Sequence, residues 1–375
     1  MHDFVPLTVV ATRHETKDAL SVTFAAPDQL KEPFRFRPGQ HMALRARLGG
    51  EEVRRTYSIC SGPDDPSLSI AIKRIPGGRF SNWAFDHLRP GATIEAMPPA
   101  GRFILPETPG EKGHVLAIAA GIGITPIVAM AEHAMRRQPD ARFTLIYGNR
   151  DRDSVIFGER LEDLKDTFLD RFNLIHVLSR NEESDTPLFE GRITPDKIGA
   201  FAGHLFDIAD VDQTFICGPG SMIRDVRNAL FDLGMPRERV HHEFFAPAGA
   251  SPPRQPSGAE ASTGADETSG TIAPSSAPVD TTQSSEVVAI IDGSRHRFTV
   301  APGEVVVDAA LRAGVKAPYS CKGGMCSTCR ARLVEGHARM RVNYSLEPWE
   351  VEKGFILTCQ AIPESSNLVV DYDAM

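Results

Sequence analysis

Apolar and polar residues alternate in short runs through the early part of the chain, as in HMALRARL at 41–48 and SLSIAIKRI at 67–75. A repeat of two sets every second side chain on one face, which is the pattern of strands that bury one side. The turn-forming clusters PGQ, SGPDD and RPG interrupt these runs. Together they predict an antiparallel β-barrel with tight turns over residues 1–109.

Beyond that point the texture changes. VLAIAAG (115–121), RFTLIYGN (142–149), FNLIHVLS (172–179) and QTFICGPG (213–220) are apolar, strand-like runs interleaved with helical stretches such as 221–233. This alternation predicts an α/β domain with a parallel sheet over residues 110–246. Residues 115–131 carry no charge, but the stretch is short for a membrane span and contains two glycines and a proline. A buried strand running into a helix is the expected form.

Between 247 and 285, Ser, Thr, Pro, Gly and Ala dominate and large apolar residues almost vanish. Such a segment cannot bury enough surface to offset its ordering entropy, so a flexible linker is expected. It sets off a C-terminal domain over residues 286–375.

A chain of 375 residues has room for these domains, each with its own core. The net charge of -8 argues against a nucleic-acid partner and against an anionic membrane surface. The opening MHDFVPLTVVATRHE lacks a basic segment followed by an apolar core and a small-residue cleavage site. A cytoplasmic location is therefore expected.

The segment CKGGMCSTC at 321–329 sets Cys321, Cys326 and Cys329 at C-x4-C-x2-C spacing, and Cys359 in FILTCQA is the only cysteine downstream. The four complete the plant-type ferredoxin spacing, which holds a 2Fe-2S cluster by four thiolates. Gly323 and Gly324 let the backbone turn tightly and aim amide N–H groups at the cluster sulfurs. A structural zinc site more often shows paired C-x2-C knuckles, and disulfides need an oxidising compartment. Cys60 and Cys217 lie too far away to be assumed ligands. The stretch from YSCKGGMCSTC to GFILTCQA resembles the 2Fe-2S ferredoxin family, which implies a β-grasp fold.

RTYSICSG at 55–62 offers an arginine for a phosphate, an aromatic ring for a flavin face and a hydroxyl for its N5 edge. IAIKRIPGGRFSNW at 70–83 adds Gly77, Gly78 and Ser81 at the opening of a predicted helix, whose N-terminal amides suit a diphosphate. AAGIGITPI at 119–127 places Gly121 and Gly123 at a strand-to-helix turn, with Thr125 available to cap the helix and Pro126 in its first turn.

These pieces, with YGNR at 147–150 and CGPGSM at 217–222, resemble the ferredoxin-NADP reductase superfamily. The resemblance implies that Arg55 binds the flavin phosphates, Tyr57 packs on the isoalloxazine and Ser58 contacts N5. Ile72, Lys73, Gly78, Arg79, Phe80 and Ser81 would flank the diphosphate of FAD, chosen over FMN. Cys217 would lie near the nicotinamide, beside Gly218, Pro219 and Met222. Ser179 and Arg180 resemble a pair that holds the 2'-phosphate of NADP, with Arg150 adding charge, so NADPH is expected and NADH remains open. In HHEFFAP at 241–247, Glu243 and Phe245 match the superfamily's terminal glutamate-x-aromatic element. A plain core phenylalanine is the competing reading of Phe245. Tyr57, Ser58, Cys217 and Glu243 are the candidate catalytic residues.

The domain order implies an electron path from NAD(P)H through FAD and a 2Fe-2S cluster to an outside acceptor. The segment from Cys321 to Ala361, including NYSLEP, resembles the family of phenylacetyl-CoA epoxidase reductase subunits. That resemblance implies a partner, the di-iron oxygenase component of a multicomponent monooxygenase. Two alternatives stay open: an FMN reductase of the phthalate dioxygenase type that serves a Rieske oxygenase, and a non-catalytic electron-carrier module. Lys322, Arg330, Arg332, Arg339 and Arg341 surround the cysteines and suggest a basic docking face.

Overall fold

The structure, a computed structural model, describes residues 4–25, 32–62, 65, 67–107, 110, 113–180, 186–245 and 284–374. The expected linker, 247–285, lies outside the described residues except for 284 and 285, and Ser285 already opens a strand. The chain divides between Ala248 and Gly249 into two compact units.

The first unit begins with strands β1 (Val5–Thr16), β2 (Ala19–Ala25), β3 (His41–Leu48), β4 (Glu51–Ser58), β5 (Leu68–Lys73) and β6 (Thr93–Ala96). Their antiparallel order is β4-β3-β6-β1-β2-β5, and a bridge between Ile59 and Ile70 joins the two outer strands into a closed barrel. Alternate side chains such as Leu7, Val9, Leu20 and Val22 fill its interior, as the period of two predicts. The helix expected after Gly78 is α1 (Arg79–His87).

The second part of this unit carries β7 (His114–Ala120), α2 (Ile124–Arg137), β8 (Arg142–Asn149), α3 (Gly158–Thr167), β9 (Phe172–Leu178), α4 (Pro195–Phe201), β10 (Gln213–Gly218), α5 (Gly220–Asp232) and β11 (Val240–Phe244). The strands form a parallel sheet ordered β11-β10-β7-β8-β9. The order reverses between β7 and β10, and the crevice at such a switch point is where open α/β sheets bind ligands. The uncharged stretch 115–131 is divided between β7, a 3-10 turn at Gly121–Gly123 and α2. Among the described residues, no helix is long and apolar enough to cross a membrane.

Barrel and sheet share one core. Cys60, Ala71, Phe103 and Leu105 of the barrel pack with Val115, Met130 and Phe215 of the sheet part. Burial in that core pushes the Cys60 thiol up to about 12, so it stays protonated and apolar in behaviour.

The second unit contains β12 (Ser285–Ile291), β13 (Ser294–Val300), α6 (Val306–Arg312), β14 (Arg330–Glu335), β15 (Ala338–Met340), α7 (Pro348–Glu352), β16 (Phe355–Leu357), β17 (Ala361–Pro363) and β18 (Asn367–Asp371). Its main sheet runs β13-β12-β18-β14-β16, with β12 and β18 parallel. Val306 and Ala310 of α6 share a core with Val287, Ile356 and Val370 of that sheet, the layout anticipated for a β-grasp domain.

Candidate functional site

The loop between α6 and β14 delivers three of the four cysteines, and the chain just after β16 delivers the fourth. Cys321 and Cys326 form one hydrogen-bonded pair, and Cys329 and Cys359 form another. Charge on Cys321 is felt by Cys359, and charge on Cys326 by Cys329, so the two pairs are neighbours. The hydrogen bond from Cys326, followed by backbone amides of Gly323, Met325 and Cys326, acidifies Cys321 against the opposing effect of burial, to about 5. The hydrogen bond from Cys329, with help from Gln360 and the Gly324 amide, acidifies Cys359.

The partner of each pair moves the other way: Cys326 and Cys329 are held well above the ordinary thiol range by the same hydrogen bonds and by burial. Gly323 N lies 3.3 Å from Cys321 Sγ. Gly324 takes φ +75, and a methyl there would press on Val342 O and Gln360 Cγ at 3.2 Å. Two adjacent thiol pairs fit a binuclear cluster, in which each iron takes two thiolates. The residues present fit the 2Fe-2S group.

One of the five residues of the expected basic face is turned away from the surface, and others are paired. Arg330 is turned inward, its Nε donating to the fully buried Glu350 at 2.8 Å and its guanidinium lying 3.5 Å from the Phe355 ring centre. Lys322 pairs with Asp308 at 2.8 Å, Arg339 with Glu364 at 3.4 Å, and Arg341 donates to Gly303 O at 2.7 Å. Acidic and carbonyl groups distant in sequence engage four of the five charges. Arg332 is exposed.

In the barrel, Arg55 and Tyr57 stand two apart on β4 and so share a face, while Ser58 turns the other way. Arg55 Nη1 donates to Arg54 O at 2.7 Å. Tyr57 leans on Phe80, with ring centres 5.8 Å apart, and Phe80 leans on Trp83 at 5.5 Å. Phe80 and Ile72 lie in the barrel core, so a ligand can reach Ile72 through its backbone alone. Gly78 caps α1 without a side-chain hydrogen bond. Ser81 Oγ accepts the Ile75 N–H at 3.1 Å and shapes the turn. Arg79 pairs with Glu51 at 2.6 Å and donates to Leu48 O at 2.9 Å. Beside it, Arg47, Leu48, Gly49, Arg79 and Trp83 line an open hollow of about 500 Å³.

At the switch point, Gly123 approaches the next strand so closely that a methyl would stand 2.2 Å from Cys217 O. Gly121 takes φ +54, and its carbonyl accepts the Tyr147 hydroxyl at 3.0 Å, which ties YGNR to GIGITP. The capping role expected of Thr125 is corrected. Gly123 is the N-cap, with no side-chain cap, and the Thr125 hydroxyl donates to Ile122 O at 3.0 Å from within the first turn. The 3-10 turn starts the helical path early and leaves Thr125 inside it.

Barrel and sheet meet at Glu243. Its carboxylate accepts from Ser58 Oγ at 3.2 Å and stands 3.4 Å from His41 Nδ1. Cys217 lies alongside on β10, in register with Glu243 and fully buried. Burial, then the Glu243 charge, holds its thiol well above the ordinary range. His41 escaped the sequence reading. His41–Leu44 are all buried, so this strand is covered on both faces there, which the alternating pattern of HMALRARL did not foretell.

Lys73 reaches toward Gly121, its Nζ 3.5 Å from where a methyl would stand. Burial, then Arg150, lowers its pKa, and Asp18 opposes that. Arg150 pairs with Asp18 at 3.2 Å, so its charge is partly spent. Ser179 and Arg180 are exposed at the end of β9, with the Arg180 amide 2.7 Å from Arg150 O. Pro219 is the N-cap of α5. Met222 packs in the core, and a methyl on Gly218 would meet its Cε at 2.8 Å. Phe245 is partly buried against the shared core.

Three family models match in series: an oxidoreductase FAD-binding domain over residues 6–104, an oxidoreductase NAD-binding domain over 117–228 and a 2Fe-2S iron-sulfur cluster binding domain over 289–364. The chain is 41% identical to a subunit of the 1,2-phenylacetyl-CoA epoxidase of Escherichia coli K12, covering 100% of this chain and 99% of that protein. It is 35% identical to the ferredoxin reductase component of the 3-ketosteroid-9-alpha-monooxygenase of Rhodococcus rhodochrous, over 98% and 97%. Phthalate dioxygenase reductase shares the fold, with a TM-score of 0.54 over 98% of both chains at 22% identity. This chain therefore belongs to the family of oxygenase reductase components in which an FAD-binding, an NAD-binding and a 2Fe-2S domain follow one another.

Proposed function

We propose that the chain takes electrons from NADPH in pairs and delivers them singly, by way of FAD and a 2Fe-2S cluster, to the di-iron oxygenase component of a phenylacetyl-CoA epoxidase in the cytoplasm. Identity of 41% along the whole length to a subunit of such an epoxidase carries this reading. Bound FAD supplies the change from two-electron to one-electron chemistry, and the cluster carries one electron at a time.

The chain's own residues prepare these sites. Arg55 supplies a cation for the flavin phosphates, and Tyr57, backed by Phe80, supplies a fixed aromatic wall. The uncapped start of α1 at Gly78, with Arg79 and Lys73 nearby, supplies donors and charge for the diphosphate. Gly121, Gly123, Gly218 and Pro219 border the crevice between β7 and β10 that takes the nucleotide. Glu243 fixes the Ser58 hydroxyl at the reacting edge by accepting its hydrogen bond. Cys217, kept neutral by burial, offers a smooth contact for the nicotinamide and no thiolate to attack it. Cys321, Cys326, Cys329 and Cys359 hold the cluster.

Arg180 selects NADPH in this reading. Arg180→Ala should raise KM for NADPH by about tenfold to a hundredfold, as loss of a charge-assisted contact of ~1.5–3 kcal/mol predicts, and leave KM for NADH near its starting value. Arg150→Ala should do less, because Asp18 already pairs with Arg150. Steady-state kinetics with both nucleotides check this, and equal effects on the two would remove Arg180 from the role.

The whole reading is tested by mixing the purified chain with the di-iron component, NADPH and phenylacetyl-CoA. Product epoxide is the expected outcome. Extraction of FMN, or coupling to a Rieske oxygenase with none to the di-iron protein, would replace it with the phthalate dioxygenase type.

A further inference from the structure

The residue after the fourth cysteine is a glutamine, and its side chain is turned into the cluster loop. Gln360 is buried, at 7% exposure. Its Nε2 donates to Lys322 O at 2.9 Å and stands 3.6 Å from Cys359 Sγ, inside hydrogen-bond reach for the larger sulfur atom. The Lys322 contact fixes the orientation of the amide. A carbonyl oxygen accepts only, so the NH2 group must face Lys322, and its second hydrogen is free for the sulfur. Lys322 itself takes φ +51, a conformation that a non-glycine residue keeps only when the surroundings hold it. A methyl on Gly324 would meet Gln360 Cγ at 3.2 Å, so the loop closes tightly over this side chain.

We infer that Gln360 is a positioning residue that sets the reduction potential of the cluster, by donating an N–H to the Cys359 sulfur and by fixing the cluster loop at Lys322. The inference rests on the four-cysteine reading of the site. Reduction adds one electron and no proton-bearing group, so negative charge on the sulfurs rises. A donor aimed at one of them stabilises the reduced form more than the oxidised form. The Cys359 side is where such a donor matters, because the backbone supplies Cys321 with several amides. Gln360 is the side-chain amide aimed at Cys359, beside the Gly324 N–H.

The test is a redox titration of the full-length holoprotein, followed by electron paramagnetic resonance of the reduced cluster, with iron and sulfide measured per chain. Gln360→Leu removes the donor. It should shift the equilibrium toward the oxidised form by about tenfold, a fall in midpoint potential of about 59 mV for one electron. Gln360→Glu keeps the shape, removes the N–H and adds negative charge, so its potential should fall at least as far. A full complement of iron with unchanged potential in either variant overturns the inference. So does loss of the cluster in both, which would make Gln360 a folding residue. Wild-type protein that binds no 2Fe-2S cluster would instead overturn the reading of the cysteines.

Discussion

Cys326→Ser should yield a protein that still oxidises NADPH with a dye as acceptor but has lost its cluster and its electron output to an oxygenase. The reason is the donor count. The four thiols form two hydrogen-bonded pairs, Cys321 with Cys326 and Cys329 with Cys359, and removing one leaves an iron with a single good protein ligand. Serine is a poor replacement because its hydroxyl is far less acidic than a thiol and binds iron as a hard oxygen. The flavin and nucleotide residues belong to the other compact unit, so dye reduction should persist. Cys60→Ser is the control, since Cys60 is buried in the core shared by barrel and sheet. Iron and sulfide per chain, the visible spectrum and both reductase rates check the pair. Stoichiometric zinc without iron or sulfide in the reconstituted wild type would sink the assignment.

Gly123→Ala should cost the reductase unit most of its thermal margin together with its nucleotide affinity. The new methyl would stand 2.2 Å from Cys217 O, 2.5 Å from Cys217 C and 2.9 Å from Gly218 N. These are backbone atoms at the end of β10, held in register with Ala119 of β7, so no rotamer change relieves the clash. Overpacking of this kind costs typically ~1–3 kcal/mol and occasionally more, and a backbone clash belongs at the upper end. For a unit of this size ~3 kcal/mol corresponds to a fall in Tm of roughly 6–12 °C. Gly121→Ala is the informative comparison. There φ is +54, but the nearest atom to a methyl is the movable Lys73 Nζ at 3.5 Å, so the cost is the backbone term of ~1–2 kcal/mol. Calorimetry of both variants decides the point. Equal losses of stability would show that conformation at the turn, and not the approach to Cys217, governs the site.

Much of this protein is legible in its residues alone, wherever the chemistry is local. Unbroken apolar runs such as VLAIAAG report strands buried on both faces, and this one became β7 of a parallel sheet; HMALRARL became β3 of the barrel, although its first four residues are all buried and do not alternate. The cysteine spacing already pointed to one cluster of thiols, because Cys321, Cys326 and Cys329 share one loop whose length limits where they can stand. The helix expected at 221–233 lies at Gly220–Asp232. What remained depended on contacts between distant segments. Periodicity states that a side chain is buried and is silent about its neighbour, so nothing local brings His41 and Ser58 to Glu243 or Lys322 O to Gln360. The same limit hid how the basic residues around the cysteines are paired. Formal charge can be counted along the chain, but Arg330 is neutralised by Glu350, Lys322 by Asp308 and Arg339 by Glu364 only once the chain has folded. Thr125 shows it on the smallest scale. Its type suits a helix cap, yet the 3-10 turn before it moves the start of the helix to Ile124 and leaves Gly123 at the cap. Energies of about a kilocalorie per mole, such as a cap supplies, yield to the packing of the strand ends around them.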